Sequence, residues 1–246
     1  VIMSDGKMSK SKGNVIYADD LVEEFGVDAV RYYFLHEIPF ASDGVFTRDL
    51  LIERINGDLA NILGNLVQRT ISMGNKYFEG KVTNKKVSDE LDVEFINSDV
   101  FSNVNNRFDV IISNPPYISY DEEIEDIVRN NEPHLALYAN VSAKMDKLQI
   151  SDAISEIFEL LRASNKYIDE TTPWTLAKDE TLTDRLETVL YNLLEAIRVS
   201  AVLLNPFLTK TSESIFEQIN TECKDLKYTE ENEYSLNKPT ALFMRI

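Results

Sequence analysis

Residues 47–78 read TRDLLIERINGDLANILGNLVQRTISMGNKYF, and this stretch decides the fold. Its apolar residues Leu51, Ile55, Leu59, Ile62 and Leu66 recur at spacings of four, four, three and four, which places them on one face of a long helix. Thr47 is a residue type that caps helix starts, and the pattern carries the helix to about Phe78. Gly57 and Gly64 weaken it slightly. Upstream, two shorter helical patterns lie around Asp19–Phe25 and Asp28–Glu37. Before them, residues 5–14 form a polar loop punctuated by glycine.

Downstream, residues 79–92 are charged and polar, with Gly80 at the helix end, and read as a linker. The period changes over residues 93–118. Val93-Glu94-Phe95-Ile96 and Phe108-Asp109-Val110-Ile111-Ile112 are short β-branched and aromatic runs bounded by Asn, Ser and Pro, as strands are. After Asn140 the helical period returns through Leu148, Ile154, Ile157 and Leu161. It returns again through Leu186, Leu190, Leu193, Ile197, Ala201 and Leu204, until Pro206 stops it. Thr211–Ile219 is a last amphipathic segment before a polar tail.

The totals bound the function. A 43% hydrophobic content over 246 residues is ample for a core. No run approaches the roughly 20 apolar residues of a membrane span, and the first residues lack the apolar stretch of a signal peptide. A soluble, cytoplasmic protein without a membrane partner is expected. Cys223 is the only cysteine and has no intrachain disulfide partner. His36 and His134 have no Cys or His at ligand spacing, so no metal site is expected. The net charge of −17 argues against indiscriminate nucleic-acid binding, although it permits reading a few unstacked bases by stacking and base-edge hydrogen bonds. Residues 93–139 hold nine carboxylates against Arg107 and Arg129, a net −7.

Three clusters carry chemistry. Lys7-Met8-Ser9-Lys10-Ser11-Lys12-Gly13-Asn14 sets ammonium groups three residues apart in a small-residue loop, suited to the charge that builds on a departing pyrophosphate. Asn65 and Arg69, four apart, share a helix face. Trp174 follows Pro173 at a turn, where an aromatic ring is able to stack on a base. Spacing alone leaves open that Trp174 is a core residue and Asn65 and Arg69 a solvated pair. Asn114-Pro115-Pro116-Tyr117, directly after an apolar strand pattern, offers acceptors for a planar NH2 and an aromatic ring to pack on it.

The first cluster resembles the KMSKS signature of class I aminoacyl-tRNA synthetases over all five letters, with Gly13-Asn14 following as in that family. Asp43-Gly44-Val45-Phe46, Ile55-Asn56 through Gly64-Asn65-Leu66, and Asn165-Lys166-Tyr167-Ile168-Asp169-Glu170-Thr171-Thr172-Pro173-Trp174 are similar to methionyl-tRNA synthetases. Leu242-Phe243-Met244-Arg245-Ile246 resembles that family's closing segment, with Met244 where proline is more usual. The resemblance implies that Lys7 and Lys10 are catalytic contacts to the triphosphate, within an ATP-binding loop of Lys7, Met8, Ser9, Lys10 and Ser11. It also implies that Asn65, Arg69 and Trp174 hold the CAU anticodon. ATP with Mg2+ is the implied cofactor, and methionine tRNA the implied partner. Methionine and ATP would be bound through a catalytic half absent from this sequence, so the chain alone is expected not to activate methionine.

Phe95 through Phe101, Phe108 through Ile118 and Glu132 through Tyr138 resemble blocks of release-factor glutamine methyltransferases. That resemblance makes Asn114, Pro115, Pro116 and Tyr117 a vestigial substrate site, since the glycine-rich turn that binds S-adenosylmethionine in that family is missing. The expected fold is mainly α. Residues 1–46 form the lysine loop and the end of a catalytic domain, 47–92 and 140–246 an anticodon-binding helix bundle, and 93–139 a small irregular α/β insert. The alternatives are an S-adenosylmethionine-dependent N5-glutamine methyltransferase fragment and a non-catalytic tRNA-binding module.

Overall fold

The computed structural model describes residues 2–3, 6–8, 11, 13, 15–38, 43–87, 133–222, 224–226 and 233–246. The strand patterns at 93–118, the Asn114–Tyr117 motif and Cys223 lie outside them. Near the start, β1 (Ile2–Met3) lies between β2 (Gly6–Lys7) and β3 (Val45–Phe46). It runs antiparallel to β2, with Ile2 opposite Lys7, and parallel to β3, with Met3 opposite Phe46. The loop expected from residue 5 therefore begins as a paired strand, because Gly6 and Lys7 find backbone partners across the hairpin.

Helices α1 (Ala18–Phe25) and α2 (Val27–Glu37) meet at Gly26. The sheet is fastened to α2 by Phe46, whose ring centroid lies 5.3 Å from that of Tyr33 and 5.9 Å from that of Phe34. The Tyr33 hydroxyl donates to the Val45 carbonyl at 3.1 Å.

Thr47 caps α3 (Arg48–Arg54), its hydroxyl accepting from the Leu50 amide at 3.2 Å. Thr47→Ala is expected to lower stability by about 1 kcal/mol in urea unfolding, and an unchanged midpoint would deny the cap any energetic role. The helix continues into a π-wound segment, Ile55–Gly64, and then α4 (Asn65–Phe78). This winding corrects the expected stripe. Leu51, Ile55, Leu59, Leu63, Leu66 and Val67 are fully buried, whereas Ile62 is only half-buried. A π turn holds more residues than an α turn, so a constant spacing of four returns to one face and Leu63 replaces Ile62 in the core.

Past α4, Glu79 and Gly80 both take positive φ, at 52° and 81°. The supposed linker then opens as β4 (Lys81–Val82), antiparallel to β5 (Tyr234–Ser235) near the other end of the chain. A Cβ at Gly74 would collide with Leu236, so the returning tail packs directly on the α4 backbone. The tail ends against the π-wound segment, where the Asn56 side chain accepts from the Ile246 amide at 3.0 Å and donates to its carbonyl at 2.9 Å.

The second half of the bundle comprises α5 (Pro133–Asp146), α6 (Ile150–Thr171), the four-residue α7 (Pro173–Leu176), α8 (Thr183–Leu204) and α9 (Thr209–Ile219). The helix expected near Val141 begins at Pro133, whose fixed φ suits the first helical position. Leu148, read from sequence as part of a helical stripe, sits at φ 57° in the turn between α5 and α6 and is exposed. Helix α8 is buried nearly all round and packs against α4, α6 and α9, which makes it the axis of the bundle. Asp28 of α2 secures α9, accepting from the Thr211 amide at 2.6 Å and its hydroxyl at 2.7 Å. No helix among the described residues is long and apolar enough to cross a membrane.

Candidate anticodon-binding surface

Helix α4 has two unlike faces. Leu66, Val67, Thr70, Ile71 and Gly74 are buried against the bundle, while Asn65 is exposed and Arg69 half-exposed on the other side. The i, i+4 spacing read from sequence therefore places both side chains on the open face. Trp174 reaches the same region from α7. After α6 ends, Thr172 adopts the left-handed conformation, at φ 43° and ψ 62°. That geometry is unfavourable for a β-branched residue preceding proline. Its carbonyl accepts from the Thr175 amide at 2.7 Å, and buried Pro173 and Leu176 fasten the turn to the core. Between these anchors Trp174 stays 41% exposed, which excludes the core role that spacing had left open.

The Arg69 guanidinium lies over the Trp174 ring at 5.7 Å and forms an ion pair with Asp169 at 3.4 Å. Arg69 is also the common wall of two grooves. The first, about 400 Å³, is lined by residues that include Asn65, Arg69, Arg162, Asn165, Lys166 and Asp169. The second, about 310 Å³, runs past Arg69 between Trp174 and the end of α4, with Met73, Lys76 and Tyr77 in its lining. Asn65 lines only the first and Trp174 only the second.

The three cations that line the first groove are each paired with a carboxylate, Arg69 with Asp169, Arg162 with Glu159 and Lys166 with Glu170 at 3.3 Å. Arg162 is oriented by Glu159 at 2.7 Å and faces Asp58 at 3.9 Å. Asp58 in turn accepts from the Tyr32 hydroxyl at 3.0 Å, and burial, reinforced by the charge of Asp58, pushes the Tyr32 phenol far above its usual range. Tyr32 therefore remains a neutral donor to Asp58. Asn165 joins α6 to the π-wound segment by donating to the Ile62 carbonyl at 3.1 Å and the Leu161 carbonyl at 3.0 Å. Its Oδ1 is buried without a protein partner.

Arg162, Asn165, Lys166, Asp169 and Lys76 did not emerge as site residues from sequence. Asn165, Lys166 and Asp169 stand in the stretch that carries the resemblance, but only the packing of α6 against the π-wound segment brings them beside Asn65. In the lysine loop, the Lys7 backbone lies in β2, Met8 is half-buried, and Ser11 and Gly13 are exposed. Ser9 and Lys10 lie outside the described residues.

The chain is similar to known proteins over most of its length. A family model of class I tRNA synthetases (M) matches residues 1–71, and one of the anticodon binding domain of methionyl tRNA ligase matches residues 119–241, half of the chain. A third, Eco57I restriction-modification methylase, matches residues 43–170, a span that contains Asn114–Tyr117 together with α3, α4 and α5 of the bundle. Methionine–tRNA ligase of Caldanaerobacter subterraneus subsp. tengcongensis is 42% identical over 97% of this chain and 32% of its own length. That of Clostridium acetobutylicum is 46% identical over 90% of this chain and 29% of its own length. The chain thus spans about a third of these relatives. Among solved structures, Mycobacterium tuberculosis methionyl-tRNA synthetase bound by methionyl-adenylate superposes with a TM-score of 0.70 at 28% identity, covering 97% of this chain and 42% of that one.

Proposed function

The chain belongs to the methionyl-tRNA ligase family, and from that premise we propose that it supplies the lysine loop and the anticodon-reading bundle of an enzyme that attaches methionine to its tRNA at the expense of ATP. The observation that carries this reading is that Asn65 and an exposed Trp174 flank Arg69, which lies over the Trp174 ring and lines both grooves. Asn and Arg offer hydrogen-bonding edges to an unstacked base, and Trp offers a stacking platform. The division into 1–46, 47–92 with 140–246, and 93–139 follows the same assignment.

In the adenylation step the methionine carboxylate attacks the α-phosphate of ATP and pyrophosphate leaves. Lys7 and Lys10, three residues apart, would stabilise the charge that builds on the departing group. Among the described residues no group of three or more His, Cys, Asp or Glu is placed to hold a metal ion, and Mg2+ would travel with the ATP phosphates. The methionine pocket and the rest of the nucleotide site are assigned to the part of the enzyme beyond this chain, so Lys7 and Lys10 would act only together with it. Asn114, Pro115, Pro116 and Tyr117 take no part in the reading.

Trp174 is the only tryptophan, so its emission reports directly on the site. Titration with an anticodon stem–loop RNA carrying CAU is expected to quench it saturably, and a stem–loop with a changed anticodon is expected to leave it unaffected. Equal quenching by both would remove the anticodon-reading role, and no quenching by either would remove tRNA binding altogether.

A further inference from the structure

Helix α2 joins two parts of the protein through opposite sides. One side carries Tyr33, whose hydroxyl reaches the Val45 carbonyl and whose ring packs on Phe46, so α2 supports the sheet in which the lysine loop begins. Residues two apart on an α-helix point about 200° away from each other, so Arg31 faces away from Tyr33. Asp28, three residues before Arg31, shares its side.

These two meet the corner where α8 turns into α9. Arg31 donates to the Pro206 and Phe207 carbonyls, each at 2.8 Å, and buried Asp28 accepts from the Thr211 amide at 2.6 Å and hydroxyl at 2.7 Å. Leu208 stands at the N-cap of α9 and its side chain cannot accept a hydrogen bond. The amides of the first turn therefore need an acceptor from elsewhere, and Asp28 supplies it from another helix. A carboxylate at this helix start and a guanidinium on the carbonyls before it also match the local backbone charge.

The grip falls at the end of α2 nearer the loop. The chain runs from the lysine loop through α1 and enters α2 at Gly26, at φ 83° and ψ 152°, a backbone shape essentially open only to glycine. The opposite end of α2 is tied separately. There the Ser151 hydroxyl donates to the His36 carbonyl at 2.6 Å, and Tyr32 packs on Phe158 with ring centroids 5.1 Å apart. Without the first grip, α2 keeps a fixed point near Tyr32 and gains freedom where α1 joins it.

We infer that Asp28 and Arg31 are positioning residues, which fix the lysine loop relative to the anticodon surface by clamping α2 to the α8–α9 corner. The inference rests on the function proposed above, because the separation of the two sites matters only when one tRNA is engaged at both.

The test reads that separation on the full chain. An energy acceptor on Asp19→Cys in α1, in a Cys223→Ser background, receives emission from Trp174, the only tryptophan. The parent is expected to give one narrow distance distribution from donor lifetimes. Arg31→Ala, at an exposed position, is expected to broaden and shift it, and Arg31→Lys, which keeps a donor, to recover part of the change. Asp28→Ala should broaden it further, with folding followed in parallel by circular dichroism. In the full-length ligase, Arg31→Ala is expected to slow tRNA charging about tenfold, while ATP–pyrophosphate exchange, which needs no tRNA, keeps its rate. Unaltered distances in folded Arg31→Ala and Asp28→Ala chains overturn the positioning role. Anticodon reading survives that result when the unlabelled parent still responds to the CAU stem–loop alone, whereas a parent that binds neither RNA removes both.

Discussion

Arg198→Met is expected to lower the unfolding free energy by about 3–5 kcal/mol, measured by urea denaturation. Arg198 and Glu195 are completely buried, one turn apart on α8. Two guanidinium nitrogens donate to the two carboxylate oxygens, at 3.2 and 2.7 Å, a third reaches the Asp225 carbonyl, and the Tyr234 hydroxyl donates to Glu195. Removing the guanidinium leaves a carboxylate without its counter-charge in the centre of the bundle. The doubly apolar change Arg198→Met with Glu195→Leu is expected to recover much of the loss, because neither charge then requires compensation. A single Arg198→Met variant as stable as the parent would contradict the argument. The network also holds the strand that pairs with β4, so release of the 233–246 tail should accompany the destabilisation and appear as new protease sensitivity near Tyr234.

Arg69→Ala is expected to weaken binding of the CAU stem–loop about a hundredfold, from loss of a base-edge contact and a cation–π contact together. It should also narrow the preference over a changed anticodon. Arg69 lines both grooves and lies over Trp174, so no other side chain on this surface links the two. The Asp169 ion pair offers little competition, since Asp169 is 68% exposed and solvent screens such pairs. Arg69→Lys keeps the charge but loses the planar fork, and is expected to remain close to Arg69→Ala in discrimination. Full selectivity in Arg69→Ala would take Arg69 out of the anticodon site.

Much of the fold was legible because its signals are local. The Thr47 cap, the two helices flanking Gly26, the α8 stripe from Leu186 to Leu204 and its end before Pro206 depend on neighbours within a few residues, and sequence displays those neighbours directly. Asn65 and Arg69 sharing a face is the same kind of information. The misses have a common origin in partners distant along the chain. β4 looks like linker because its partner, β5, lies some 150 residues away, and Leu148 fits a helical stripe until the α5–α6 turn claims it.

The site divides along the same line. Sequence by itself determined a mainly helical bundle, because composition and periodicity are properties of the string, and it nominated Asn65, Arg69 and Trp174 only through a resemblance, since spacing left their roles open. Only tertiary structure decided that Ile62 yields its core place to Leu63, that a left-handed Thr172 turns Trp174 outward, that Arg162, Asn165 and Lys166 join the surface, and that Arg69 divides it in two. Each of these depends on how α4, α6 and the turn after α6 pack around α8, and such packing is set by contacts between residues that no local pattern connects.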